Sequence, residues 1–200
     1  MDIPRIFTVS ESEHRIHNPF TPEKYATLGR VLRMKPGTRI LDLGSGSGEM
    51  LCTWARDHGI TGTGIDMSRL FTEQATRRAD ELGVSEHVRF IHDDAAGYVA
   101  DEKCDVAACV GATWIAGGVA GTMALLAKSL RPGGMILIGE PYWRQVPASD
   151  EIALACGVSS IADFLTLPDL VASFDAQGYD LVEMVLADQE GWDRYEAAKL

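Results

Sequence analysis

Positive charge is scarce in this sequence of 200 residues, which has 18 lysine and arginine residues against 29 aspartate and glutamate residues. The net charge of −11 disfavours a nucleic-acid partner, because a duplex repels an acidic surface that lacks a basic patch. Arg77 and Arg78 form the only dense basic cluster, and we interpret them as part of a solvated helix face. We therefore expect no binding to nucleic acid.

Cysteine is also scarce, and its spacing shows neither a CxxC pair nor a regular framework. Two of the four cysteines, Cys52 and Cys109, fall within apolar runs. Buried, reduced thiols in a cytoplasmic protein are the expected arrangement. No basic stretch followed by an apolar one begins the chain, so we expect no signal peptide. The four cysteines are Cys52, Cys104, Cys109 and Cys156.

Charge is absent from residues 106–127, a run long enough to cross a bilayer. The run is rich in glycine and alanine and has no flanking basic clusters, which disfavours a membrane span. It divides instead into a short strand, a glycine-rich loop and a helix. We therefore expect no membrane partner.

Apolar strands alternate with helical segments from residue 39 onward. This alternation predicts an α/β fold with a doubly wound, mostly parallel sheet and helices on both faces. Ligands of such sheets bind at the carboxyl ends of the strands, near the topological switch point. We expect residues 1–20 to form an irregular segment that can act as a lid, and residues 21–200 to form one domain. The predicted strands cover residues 39–43, 61–66, 88–92, 105–110, 135–140 and 179–187.

The most informative run is residues 40–48, where an apolar strand ends in glycines at alternate positions before an amphipathic stretch. Glycine permits positive φ angles and lets a ligand approach the main chain. A helix that follows such a turn directs free N–H groups and the positive end of its dipole at an anion. The run therefore predicts a site for a cofactor with an anionic group.

Asp66 ends the second predicted strand, 18 residues after Gly48. An acid at this place in doubly wound nucleotide sites accepts hydrogen bonds from ribose hydroxyls. The alternative is that Asp66 caps a helix. Together, the glycine run and Asp66 predict a ligand that contains a nucleoside.

The glycine spacing distinguishes between nucleoside cofactors. Dinucleotide sites use G-x-G-x-x-G, whereas here Gly44, Gly46 and Gly48 alternate and Glu49 follows them. Glu49 would repel a pyrophosphate at the helix start, while a single carboxylate is better tolerated. The pattern counts against a nicotinamide dinucleotide.

At this point the sequence resembles the class I S-adenosylmethionine-dependent methyltransferases over about residues 20–187. Within that family it is similar to the small-molecule enzymes of quinone biosynthesis. The matching motifs are LDLGSGSG at 41–48, GID at 64–66, DDA at 93–95, DV at 105–106 and LRPGG at 130–134.

The resemblance implies a role for the first motif. Gly44, Ser45, Gly46 and Gly48 would shape the loop beneath the methionine part of S-adenosylmethionine. Asp42 would brace this loop and reach the amino group of the cofactor.

The later motifs would hold the nucleoside. The resemblance implies that Asp66 binds the ribose hydroxyls and that Met67 lies beside the adenine. Asp94 would accept from the exocyclic amine of adenine, or alternatively cap its own loop, and Ala95 would pack on the ring. Gly111 would lie near the methionine amine or the methyl group.

The family's seventh strand has no counterpart in this sequence. After the sixth predicted strand, residues 188–200 form a polar stretch that predicts a helical turn. We therefore expect a domain that is incomplete at its C-terminal end.

The expected function is methyl transfer from S-adenosylmethionine to a small-molecule acceptor by in-line displacement. No Asn/Asp-Pro-Pro-Tyr/Phe motif follows the fourth strand and no Pro-Cys nucleophile occurs, which disfavours methylation of nucleic-acid bases. Two alternatives are a non-catalytic module that binds S-adenosylmethionine or a related nucleoside, and a nicotinamide-dependent oxidoreductase.

Catalysis of methyl transfer can come mainly from positioning and exclusion of water, with a base needed only for a protonated acceptor. The catalytic candidates are His17, in the N-terminal segment that can act as a lid, and Tyr142, after the fifth predicted strand. His14 and His17 have H-x-x-H spacing, but no nearby carboxylate or cysteine completes a ligand set, so no metal site is predicted.

Overall fold

The computed structural model describes residues 4–197 and contains one parallel sheet. Its order is β3-β2-β1-β4-β5, and every neighbouring pair of strands is parallel. The order reverses at β1, which lies between β2 and β4, so the topological switch point lies at the end of β1. The predicted doubly wound α/β fold is confirmed. The strands are β1 (Arg39–Leu43), β2 (Thr61–Asp66), β3 (Val88–His92), β4 (Cys104–Val110) and β5 (Leu130–Gly139).

Eight α-helices lie within the described residues. Local sequence sets several of their ends: the Thr21 hydroxyl accepts from the Lys24 N–H at the start of α2, and the Ser68 hydroxyl accepts from the Phe71 N–H at the start of α4. The helices are α1 (Arg5–Glu11), α2 (Pro22–Val31), α3 (Glu49–His58), α4 (Arg69–Glu81), α5 (Val119–Ala127), α6 (Asp150–Ala155), α7 (Leu167–Ala176) and α8 (Gln189–Ala197).

The described residues divide into two compact units. The first consists of residues 4–139 and 185–197 and contains the whole sheet. The second, Glu140–Met184, contains α6 and α7.

Both faces of the sheet are covered by apolar side chains. Successive residues of β1 point to opposite faces: Ile40 belongs to one apolar cluster, which includes Trp54 of α3, and Leu41 to the other, which includes Leu126 of α5. This two-sided burial explains the nearly continuous apolar character of the strand.

The prediction of a sixth strand over residues 179–187 is wrong. Residues 179–187 have no regular structure, and β5 is the last strand of the sheet within residues 4–197. Four apolar side chains of this stretch are exposed, from 40% for Leu186 to 78% for Val182. An apolar alternation predicts a strand only if a partner supplies hydrogen bonds, and no such partner is among the described strands.

Three smaller expectations also need correction. Residues 5–11 form the helix α1 within the segment expected to be irregular, although β-branched residues lower its helix propensity. Cys156 is exposed, whereas the other three cysteines are buried. Arg78 is not on a solvated face, because it pairs with Glu49.

The uncharged run at 106–127 divides into β4, a 3-10 turn at Thr113–Ala116 and α5. Across residues 4–197, every helix is too short or too polar to traverse a lipid bilayer.

Candidate functional site

The loop between β1 and α3, residues 44–48, is called the cofactor loop below. Main-chain hydrogen bonds set its shape: the Gly44 and Ser45 N–H groups both donate to the Ile65 carbonyl, at 2.8 and 3.1 Å. The three glycines have φ angles of 76°, 52° and 73°. A Cβ at Gly48 would lie 2.6 Å from Cζ of Phe90, so this position has no room for a side chain.

Asp66 ties the cofactor loop to the start of α4. One carboxylate oxygen accepts from the Gly46 N–H at 2.7 Å, and the other accepts from the Ser68 N–H at 2.8 Å. Ser68 is the N-cap of α4, so Asp66 bonds to the residue at the helix start and does not itself cap the helix, contrary to the alternative from the sequence. A carboxylate oxygen can accept more than one hydrogen bond, and a ribose hydroxyl is a donor of the right kind for this group.

Asp42 lies beneath the loop and is 4% exposed. Burial, together with the nearby charge of Asp66, raises the pKa of Asp42 to about 7. A cation that entered the site would favour the ionised form of this carboxyl group. A narrow concavity at the end of β1 brings Asp42 together with Gly44, Ser45 and Gly46.

Residues 15–18 of the N-terminal segment form the opposite wall of this concavity, and the stretch of residues 12–18 is called the N-terminal wall below. The His17 ring lies on the loop, since a Cβ at Gly46 would be 3.0 Å from Cδ2 of His17. His17 Nε2 is 2.7 Å from the Ser47 hydroxyl. The Asn18 side-chain amide donates to the Tyr25 hydroxyl at 2.8 Å.

His17 is a poor general base in this setting. Burial, and secondarily the nearby His14, lowers the pKa of His17 to about 4, so the ring is neutral at pH 7. Its Nε2 atom is engaged with Ser47. Of the two catalytic candidates, the structure therefore brings His17 to the cofactor loop, in a position suited to packing.

Other predicted cofactor residues follow the ends of β2, β3 and β4. The Met67 carbonyl accepts from His92 Nε2 at 3.0 Å. Asp94 is exposed, and one of its oxygens accepts from the Ala96 N–H at 2.8 Å, so the loop-cap alternative is present. The Ala95 methyl is buried in the Leu41 cluster and is not presented at the surface, in contrast to the expected contact with adenine.

Gly111 is exposed after β4 and has a φ angle of 87°. A Cβ at this position would lie 3.9 Å from Cβ of Asn18, so Gly111 faces the N-terminal wall. Gly44 packs closely against the residues that follow β4, because a Cβ there would be 2.7 Å from Cβ of Ala112. The switch point thus gathers the cofactor loop, the end of β4 and the N-terminal wall.

A carboxylate does lie beside the two N-terminal histidines, contrary to expectation. An oxygen of Glu11 is 3.3 Å from Nδ1 of His14 and 3.9 Å from Nδ1 of His17. The other Glu11 oxygen accepts from the Tyr195 hydroxyl at 2.9 Å, and His14 Nε2 donates to the Tyr195 carbonyl at 3.0 Å. These contacts anchor the segment to α8. No cluster of three or more ligands suited to a metal occurs in residues 4–197.

Glu49 is not an isolated negative charge at the helix start. Its two oxygens accept from Nε and Nη2 of Arg78, at 2.8 and 2.9 Å. This bidentate pair compensates the charge that the sequence argument set against a pyrophosphate. Glu49 therefore repels an anion at the helix start less than its charge alone indicates.

The second unit contains Tyr142, the other catalytic candidate, immediately after β5. Its neighbour Trp143 packs within that unit: the ring centroid lies 5.6 Å from that of Phe164, and the indole N–H donates to the Ile161 carbonyl. Trp143 therefore has a packing role.

Sequence reasoning missed three residues at this site, namely Ser47, Asn18 and Tyr25. Ser47 is 2% exposed, although serine in a glycine-rich loop gives no sign of burial. Asn18 and Tyr25 meet only because the N-terminal segment folds back onto α2. No local pattern signals such a contact.

Comparison with known proteins gives consistent matches. Residues 40–134 match the family model described as a methyltransferase domain. YjhP of Escherichia coli K12 is 85% identical over 199 residues, covering 100% of this chain and 80% of that protein.

A solved structure of an S-adenosylmethionine-dependent methyltransferase from Geobacter sulfurreducens, in complex with S-adenosylhomocysteine, superposes with a TM-score of 0.97. It is 74% identical, and the match covers 98% of this chain and 79% of that one. The 27-O-demethylrifamycin SV methyltransferase of Amycolatopsis mediterranei is 30% identical over 114 residues, 56% of this chain and 42% of that protein.

This chain belongs to the S-adenosylmethionine-dependent methyltransferases. The resemblance read from the motifs is confirmed, as is S-adenosylmethionine as the cofactor. The sheet order and the helices on both faces are those of the Rossmann-like methyltransferase fold.

Proposed function

We propose that this chain transfers the methyl group of S-adenosylmethionine to a small-molecule acceptor and that the cofactor loop binds the methionine part. The observation that carries the proposal is the concavity at the end of β1. It joins the main chain of Gly44–Gly46 to the buried Asp42, while Asp66 is bonded to the same loop. These groups suit a ligand that carries a carboxylate, an ammonium group and a ribose.

Charge complementarity supports a role for Asp42. The cofactor's ammonium group would favour the carboxylate form of Asp42, whose pKa is raised by burial. Asp66 would accept hydrogen bonds from the ribose hydroxyls, which are suitable donors to a carboxylate. Met67, Asp94, Ala95 and Gly111 remain proposed nucleoside and methyl-site residues, with Ala95 requiring some opening of its apolar cluster.

A small-molecule acceptor is supported by the net charge of −11, which disfavours nucleic acid. It is also supported by the similarity to the enzyme named for 27-O-demethylrifamycin SV. A cytoplasmic location stays a prediction from the free thiols.

Catalysis is proposed to come from positioning. When bound, S-adenosylmethionine supplies an electrophilic methyl group on a sulfonium. The chain would orient the cofactor on the loop and exclude water with the N-terminal wall. His17 is assigned to the wall, and Tyr142 remains the candidate side chain for an acceptor that must lose a proton.

Titration calorimetry with S-adenosylmethionine, S-adenosylhomocysteine and NADH tests the cofactor proposal. We expect the first two to bind and NADH not to bind. Asp66→Ala should weaken S-adenosylhomocysteine binding by about 5- to 150-fold, the equivalent of about 1–3 kcal/mol. Unchanged affinity in this variant would remove the ribose assignment.

A panel of small molecules, with formation of S-adenosylhomocysteine as the readout, tests methyl transfer. Turnover that requires an acceptor from the panel supports the proposal. Binding of the cofactor without turnover on any acceptor would favour the non-catalytic alternative. Tight NADH binding without S-adenosylmethionine binding would contradict both.

A further inference from the structure

A continuous path of hydrogen bonds joins the N-terminal wall to the cofactor loop through α4. The Gln74 side-chain amide of α4 donates to the Ser12 carbonyl at 3.0 Å. The Ser47 hydroxyl donates to the Gln74 side-chain oxygen at 2.6 Å, and His17 Nε2 lies 2.7 Å from the same hydroxyl. Gln74 therefore touches one end of the wall directly and the other end through Ser47.

The donor and acceptor capacities of these groups allow only one assignment of donors and acceptors along this series of hydrogen bonds. The Ser12 carbonyl accepts, so the amide nitrogen of Gln74 faces it and the amide oxygen faces Ser47. The single hydroxyl hydrogen of Ser47 is used on that oxygen. The Ser47 oxygen must then accept from His17, whose neutral ring carries its hydrogen on Nε2.

These hydrogen bonds fix the position of the His17 side chain, which closes the concavity. The His17 ring lies on Gly46 and packs edge-on against Phe71, with 4.3 Å between ring centroids. Ser47 is 2% exposed, so its hydroxyl has little access to water as a substitute partner. Loss of one bond in the path would leave a buried polar atom unsatisfied and loosen the wall.

We propose that Gln74 and Ser47 are positioning residues that hold the N-terminal wall closed over the cofactor loop and thereby slow release of the cofactor. This inference rests on the proposed binding of S-adenosylmethionine at that loop. Neither residue needs to touch the reacting atoms. They act through His17, at the surface that the bound cofactor would face.

Stopped-flow or surface-based kinetics with S-adenosylhomocysteine tests the inference on the full chain. Gln74→Met removes both hydrogen bonds at similar size and should raise the dissociation rate constant by about 3- to 30-fold, the effect of one or two hydrogen bonds. The association rate constant should stay the same or rise, because an open wall eases entry. A variant with a disrupted fold would instead have a lower association rate constant.

Arg77→Met is the matched control, because Arg77 is exposed on the same helix and lies outside the path. Its kinetics should equal those of the wild type. Circular dichroism melting without ligand identifies any variant that fails to fold. If Gln74→Met does not fold, Gln74→Glu replaces it: this side chain still accepts from Ser47 but cannot donate to Ser12, so faster release is still expected.

The double variant Ser47→Ala with Gln74→Met sharpens the test, because both changes cut the same path. Its dissociation rate should match that of the more affected single variant rather than the product of the two effects. Wild-type release rates in a folded Gln74→Met or Gln74→Glu variant, or fully additive effects, would overturn the inference. Absence of S-adenosylhomocysteine binding in the wild type would instead overturn the proposed function.

Discussion

The cofactor loop and the N-terminal wall meet at Gly46, but different kinds of hydrogen bond hold them. The loop is held by main-chain bonds to Ile65 and by Asp66. The wall is held by bonds that each use one side chain and join distant parts of the sequence: the Gln74 amide donates to the Ser12 carbonyl, and the His14 ring donates to the Tyr195 carbonyl. We infer that the cofactor loop is rigid and shapes the site, whereas the N-terminal wall can open when a few side-chain hydrogen bonds break.

The largest expected effect on stability comes from a substitution that disrupts the cofactor loop. Gly48→Ala places a Cβ 2.6 Å from the Phe90 ring at a φ angle of 73°. Positive φ and steric conflict together should lower the free energy of unfolding by about 2–4 kcal/mol. Urea denaturation monitored by circular dichroism measures the change.

Gly97→Ala is its control, because Gly97 has a φ angle of 82° but nothing within 4 Å of the added methyl. It should cost only about 1–2 kcal/mol from the backbone conformation. Equal destabilisation by the two substitutions would mean that close packing at Gly48 does not stabilise the loop.

An intermediate effect is expected from Tyr195, which anchors Glu11, the residue immediately before the N-terminal wall. The Tyr195 hydroxyl donates to Glu11, and burial together with that carboxylate raises the pKa of Tyr195, which keeps it a donor. Tyr195→Phe leaves the buried Glu11 oxygen without this donor and should lower the free energy of unfolding by about 1–2 kcal/mol. Tyr98→Phe serves as the comparison, measured by the same denaturation.

If Tyr195→Phe is no more destabilising than Tyr98→Phe, the contact with α8 does not hold the segment. Faster release of S-adenosylhomocysteine in Tyr195→Phe would further show that the wall's two attachments act together.

The smallest effect concerns the pH dependence of binding. Burial raises the pKa of Asp42 to about 7, and a cationic ligand favours the carboxylate. Binding therefore releases a proton from Asp42, and S-adenosylhomocysteine affinity should rise by about tenfold between pH 6 and 8. Titration calorimetry between pH 6 and 8 measures this change in affinity.

Asp42→Asn should bind more weakly and lose most of this pH dependence. The unliganded protein should show the opposite trend: a carboxyl group with a raised pKa favours the folded state at low pH, so its contribution to stability falls between about pH 4 and 7. An identical affinity profile in Asp42→Asn would exclude Asp42 as the titrating group.

The cofactor loop is held by main-chain bonds and by Asp66, and the N-terminal wall by long-range contacts of side chains. This difference also explains what could be predicted from the sequence. The bounds of β1, β2 and β3 agree with the predicted ranges, because glycines, caps and apolar periodicity are local signals. The position of the cofactor loop followed from the same signals. Residues 179–187 carry a strand pattern but have no pairing partner among the described strands, which no local pattern reveals.

Contacts between distant segments were beyond prediction for the same physical reason. Glu11 meets Tyr195 only after the N- and C-terminal segments come together, and Gln74 of α4 meets Ser12 and Ser47 from distant parts of the sequence. Residue types with ordinary roles elsewhere acquire these partners through tertiary structure. The individual cofactor contacts remain predictions.

A crystal structure of this chain with S-adenosylhomocysteine tests the central claim most directly. We predict that the amino-acid part of the ligand lies in the concavity between Asp42 and the cofactor loop, that its ribose contacts Asp66, and that His17 covers it. A ligand bound away from the cofactor loop, with no contact between its ribose and Asp66, would contradict the account.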